Sequence, residues 1–169
     1  MSEQQLTPAE VAQRMVAGET PAQVFGVTDD QIKAIVALGY NNYQQGKLDA
    51  AYKLFRGAAT FNPKSYLGFA GAGAVALARK PADLDAAFDN LSKAAELNPN
   101  DATILANLGE VLLRQGKINE AKEPLEKAFS LDADRKDPGV NRARALVATL
   151  DTIVKEAQRI KSAELAKAS

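Results

Sequence analysis

The chain has 169 residues, with 21 basic and 21 acidic side chains and a formal net charge of zero. That length supports one domain with a sizeable core, and the balance of charge excludes long-range attraction to nucleic acid or to an anionic membrane. Cysteine and histidine are both absent, which excludes disulfides, Cys/His zinc sites and Cys/His nucleophile pairs.

The N-terminal stretch MSEQQLTPAEVAQRM has neither the basic region nor the apolar core of a secretory signal. No apolar run reaches membrane-spanning length, so a cytoplasmic location is expected. Thr7-Pro8-Ala9-Glu10 reads as a capping box with proline at the first helical position, which predicts a helix over about 8–17. Thr20-Pro21-Ala22-Gln23 repeats that grammar after Gly18 and predicts one turn over about 21–25. Thr28-Asp29-Asp30-Gln31 does so again and opens a helical run to about residue 131. Val11, Met15, Val16 and Phe25 are apolar residues on elements too short to be stable alone. They need a surface to pack on, either the chain's own first repeat or a second subunit. Residues 1–28 are therefore read as an N-terminal helical arm and a dimerisation surface.

From residue 29 the chain repeats itself. LGYNNYQQGKLDAAYKLFRGAATFNP starts at Leu38, and LGEVLLRQGKINEAKEPLEKAFSLD starts at Leu108. AGAGAVALARKPADLDAAFDNLSKAAELNP lies between them. Gly39, Gly73 and Gly109 fall in one column, and Ala51, Ala87 and Ala121 in another. Phe55, Leu91 and Leu125 form a third, and Ala58, Ala94 and Ala128 a fourth, at spacings of 34 or 36 residues. The extra residues of the middle repeat lie in its turn, where insertions are tolerated. Ile35, Leu38, Gly39 and Asn42 read as one face of the first helix. Gly46 and Gly116 stand where first helices must stop, and Asn62-Pro63 and Asn98-Pro99 where second helices end.

These columns resemble the tetratricopeptide repeat (TPR): two antiparallel helices per unit, with small residues where they cross. The resemblance implies an all-α, three-repeat TPR superhelix with short N-terminal helices and a C-terminal capping helix. Three repeats are expected over about 29–64, 65–99 and 100–133, within a repeat region of 29–134. The capping helix is expected over 135–164, opened by Asp137-Pro138. Val140, Ala143, Leu146, Val147, Leu150, Ile153 and Val154 lie on one side of it, and residues 165–169 are read as a frayed tail.

A second stripe on the first helices recurs at spacing i, i+4, i+7: Val36, Tyr40, Tyr43; Ala70, Ala74, Leu77; Ala106, Glu110, Leu113. In a TPR superhelix this stripe lines the concave surface, where peptide ligands of the family lie. Leu67 is placed with it as a peptide-binding residue. For Ala70 and Ala74, packing between repeats is an equally good reading. Tyrosine has an apolar body and a polar tip, which suits a half-wet binding surface. Lys33, Asn107 and Arg114 are too few and too scattered to clamp a terminal carboxylate, so apolar anchoring of an extended peptide is expected.

The stretch GETPAQVFGVTDDQIKAIVALGYNNYQQGKLDAAYKLF, Gly18 to Phe55, and LGFAGAGA, Leu67 to Ala74, carry a narrower likeness. They resemble the class II type III secretion chaperones, the SycD/LcrH group. That resemblance implies a cytoplasmic bacterial homodimer which sequesters a hydrophobic secreted translocator, or its extended N-terminal segment, until export. Its groove would take a segment containing proline and leucine, with Val36, Tyr40 and Tyr43 in the first repeat. A general TPR adaptor of another bacterial assembly is the alternative. Asp83, Asp85 and Asp89 read as a solvated helix start rather than a ligand set. No phosphate loop or nucleophile–base pair is present, so no enzymatic activity, metal, cofactor or nucleic-acid partner is expected.

Overall fold

The computed structural model describes residues 6–167, and those residues form helices joined by turns, with no strand among them. Three short starts come first: α1 (Pro8–Val16), α2 (Pro21–Val24) and the head of α3 (Asp29–Gln44). Each opens on the threonine read from sequence. The Thr7, Thr20 and Thr28 hydroxyls accept from the third helical N–H. Glu10, Gln23 and Gln31 reach back to the threonine N–H at 2.8–2.9 Å. Two orphan donors are satisfied at every start.

α4 (Leu48–Phe61), α5 (Tyr66–Ala78) and α6 (Leu84–Leu97) follow, then α7 (Ala102–Arg114), α8 (Ile118–Leu131) and α9 (Pro138–Lys167). α3/α4, α5/α6 and α7/α8 are the three helical pairs. The chain divides into two compact units, residues 1–99 and 100–169. Tight turns end α3 and α7 because Gly46 and Gly116 take φ of +73° and +77°, which an L side chain resists. Lys47 N–H and Lys117 N–H then close back on the carbonyls of Asn42 and Leu112, the six-to-one bond of a left-handed cap.

The glycine column and the bulky column meet within each pair. A Cβ on Gly39 would sit 2.9 Å from the Phe55 ring, one on Gly73 2.5 Å from Leu91, and one on Gly109 2.4 Å from Leu125. In the first unit, Phe55 is the keystone of a cluster with Ile32, Val36, Ala51, Ala58, Ala72 and Val75. α5 presses on α4 so closely that a Cβ on Gly71 would lie 2.2 Å from Phe55. One on Gly68 would lie 2.5 Å from the Ala59 backbone nitrogen. The glycine-rich opening of the second repeat is thus a packing device.

Two expectations need correction. Leu38 is exposed, and the buried line of α3 is Ile32, Val36 and Gly39. Leu38 stands about 100° round the helix from Gly39, too far to share its face. The closing helix also runs past its expected end at 164. α9 continues to Lys167, because nothing after Gly139 breaks it. Residues 168 and 169 lie outside the described residues.

Candidate functional site

In the first unit α5 lies against α3, and the stripe read from sequence separates here into two layers. Val36 and Leu77 are buried, Val36 inside the Phe55 cluster. Tyr43 and Leu67 are half-buried and pack on that cluster from outside. Ala70 and Ala74 are also half-buried, and Tyr40 is 42% exposed. The Tyr40 ring meets Phe55 edge-on, with centroids 5.0 Å apart. The stripe residues of this unit that keep exposed surface are Tyr40, Tyr43, Ala70 and Ala74, with Leu67 beside them: two amphipathic rings, one aliphatic side chain and small residues, next to the Phe55 cluster.

The second unit treats the stripe differently. Ala106 is 0% and Glu110 2% exposed, while Leu113 is half-buried. Ala106 and Glu110 therefore offer no surface to a peptide, contrary to expectation, because α9 packs on α7. The Glu110 carboxylate accepts from Arg142 Nε at 2.9 Å and is paired with Arg114 at 2.6 Å. Arg142 also donates to Asn107 Oδ1 at 2.8 Å. Both guanidiniums remain about half in water, so the carboxylate is neutralised without burying a second charge.

A second cluster fastens the start of α9. The Thr103 hydroxyl donates to Asp137, whose other oxygen accepts from the N–H groups of Gly139 and Val140. Asp132 accepts from Arg144 at 2.8 Å and from the N–H groups of Lys136 and Asp137. The Arg144 bond is the main reason its carboxyl titrates below the ordinary aspartate value. The two backbone donors add to that, and burial opposes it. None of these pairings was read from sequence. The signal was the repeat length itself, since Arg56–Asn90, Thr103–Asp137 and Asn107–Arg142 pair residues 34, 34 and 35 apart.

The N-terminal arm is fixed at its inner end and bare outside. Arg14 donates to Glu19 and to the carbonyls of Gln23 and Val24, tying α1 to α2. That bond raises the Arg14 pKa and lowers that of Glu19. Ala22 and Val24 are buried, but α1 buries no residue: Val11 is half-buried, Met15 and Phe25 are exposed, and Val16 is 90% exposed. Asp83 caps α6 through the Ala86 N–H. Among the described residues no helix is long and apolar enough to cross a membrane.

Helical pairs with small residues at their crossings are the architecture of tetratricopeptide repeats. The family profile described as "TPR repeat" matches residues 83–116, and that described as "Tetratricopeptide repeat" matches 102–135. Within that class the chain resembles the class II type III secretion chaperones of the SycD/LcrH group. It is 29% identical over 118 residues to the Low calcium response locus protein H of Yersinia pestis, covering 70% of this chain and 69% of that protein. The crystal structure of a type III secretion complex from Aeromonas hydrophila superposes with a TM-score of 0.69 and 25% identity, over 90% of this chain and 99% of that one. PcrH in complex with the chaperone binding region of PopB superposes with a TM-score of 0.61 and 26% identity, over 71% and 97%.

Proposed function

We propose that this protein is a chaperone for a hydrophobic secreted translocator, and that it holds an extended segment of that client on the α3–α5 face of its first unit. The half-exposed surface of Tyr40, Tyr43, Leu67, Ala70 and Ala74 carries the reading. These five side chains are themselves uncharged and largely apolar, which suits proline and leucine anchors in an extended chain. PcrH, a similar fold, is known in complex with the chaperone binding region of PopB. The chain acts by sequestering, not by catalysis, and works in the bacterial cytoplasm. Its domains are the arm (1–28), the repeats (29–134) and the closing helix. The arm's Val11, Met15, Val16 and Phe25 form a homodimer contact.

Co-purification from the native bacterium tests the client assignment. A translocator should be recovered, and a synthetic extended segment of it should bind with roughly micromolar affinity. A partner that is not a secreted protein would favour a general adaptor. The arm is tested by Val16→Glu with Phe25→Glu, which should lower the assembly mass while client binding persists.

A further inference from the structure

Where α9 meets α7, one carboxylate is shared by two cations. Glu110 Oε1 is paired with Arg114 at 2.6 Å and Glu110 Oε2 with Arg142 at 2.9 Å. The carboxylate is buried, whereas the arginine side chains are 44% and 52% exposed. One negative and two positive charges leave a surplus of one positive charge, and it faces water. Neutralising Glu110 takes a single guanidinium, so packing alone does not call for the second.

Both cations are held in place from the protein side. Arg142 donates from Nε to Glu110 and from a terminal N–H to Asn107 Oδ1, and Asn107 is itself buried. Arg114 is tied back to Glu110 one turn earlier on its own helix. Because the two guanidiniums sit on different oxygens of one carboxylate, Glu110 spans them from below. A second carboxylate arriving from water can span them from above in the same way, since each planar guanidinium presents further N–H donors at fixed angles. The other acid fastening α7 to α9 is Asp137, beside Thr103, which is seven residues or roughly 10 Å along α7 from Glu110. Its oxygens accept from the Thr103 hydroxyl and from the N–H groups of Gly139 and Val140.

We infer that Arg114 and Arg142 form a binding site for the carboxylate of an acidic side chain in a bound peptide. A surplus of one charge matches a monoanion, whereas a phosphate carries about −1.5 to −2 near neutral pH. Leu113, half-buried next to Arg114 in the chain, offers an apolar edge that a peptide can use and a free ion cannot. A cation pair already held by Glu110 and Asn107 gains charge-assisted hydrogen bonds with little further loss of side-chain freedom. The site lies within the second unit and does not depend on where a client rests on α3 and α5.

The test titrates the 15N-labelled full chain with N-acetyl-Ala-Glu-Ala-amide at constant ionic strength. The Arg142 Nε–H resonance, held by its bond to Glu110, should shift saturably with a dissociation constant in roughly the millimolar range. N-acetyl-Ala-Gln-Ala-amide should leave it in place, and inorganic phosphate should bind more weakly than the glutamate peptide. Arg114→Gln should weaken peptide binding by about tenfold. Glu110→Gln should tighten it, because the surplus then rises by one positive charge; a Glu110 that only fastens α9 gives no such gain. Thermal melts check that both variants fold, and Arg114→Gln, at a half-exposed site, decides the matter if Glu110→Gln does not. No saturable shift with the glutamate peptide overturns the proposal, as does an equal shift with the glutamine peptide. Unchanged affinity in Arg114→Gln does the same, and phosphate binding as tightly as the peptide overturns the assignment to a peptide carboxylate.

Discussion

Tyr40→Ala separates binding from folding. Tyr40 is 42% exposed, so a client that covers it removes roughly 80 Å² of a side chain of about 200 Å². At about 25 cal/mol per Å² that burial contributes about 2 kcal/mol, equivalent to roughly thirtyfold in affinity. The same substitution loses the edge-on contact with Phe55, about 1 kcal/mol of folding stability. For a chain of this length that lowers the melting temperature by about 2–4 °C. Fluorescence anisotropy with a labelled translocator segment measures the first quantity, and a thermal melt measures the second. Tyr43→Ala is the companion. Tyr43 is half-buried on the Phe55 cluster, so it should lose more stability for each unit of affinity. Unchanged affinity in Tyr40→Ala refutes the placement of the client on α3 and α5. A melt that collapses would mean that Tyr40 holds the repeats together.

Other expectations follow from the packing and the charges. Gly71→Ala drives a Cβ into Phe55 and should destabilise by about 1–3 kcal/mol. Gly57→Ala, in mid-helix with nothing within 4 Å of its Cβ position, should stabilise by about 0.5–1 kcal/mol; denaturant midpoints of the two variants test both signs. Asp132 has its carboxyl pKa lowered on folding, so its contribution is present above the unfolded value of about 3.9 and fades as pH falls through the folded value. The melting difference between wild type and Asp132→Asn should therefore be steady from neutral pH to about 5 and shrink below about 4. A difference that grows on acidification would contradict the Arg144 pairing.

The repeat was legible because each column of small residues faces a column of large ones. Gly39, Gly73 and Gly109 could be aligned before anything was known of their contacts, and Phe55, Leu91 and Leu125 turned out to be what presses on them. The three threonine starts were legible because a capping box is contained in four consecutive residues. Leu38 was misplaced because i+3 and i+4 patterns on a glycine-containing helix fit two faces equally well. The candidate surface was harder still. The columns give the direction in which a side chain leaves its helix, but not what later chain covers it. Val36 and Ala106 leave in the same direction as Tyr40, yet α5 packs over the first and α9 over the second.

The same periodicity explains why α9 is built as it is. Counting 34 residues on from Gly109 reaches Ala143, so α9 begins as the first helix of a fourth repeat. A bulky residue from a second helix presses on every earlier landmark. Among the described residues none follows α9 to press on Ala143, so a methyl group is tolerated where glycine was required. It is fully buried. The polar fastening at this junction is the part that is not repeated: Asn107 and Glu110 take Arg142, and Asp132 takes Arg144. Hydrogen-bonded charge fixes a single register more sharply than apolar contact does. A helix with no second helix after it among the described residues needs that register fixed.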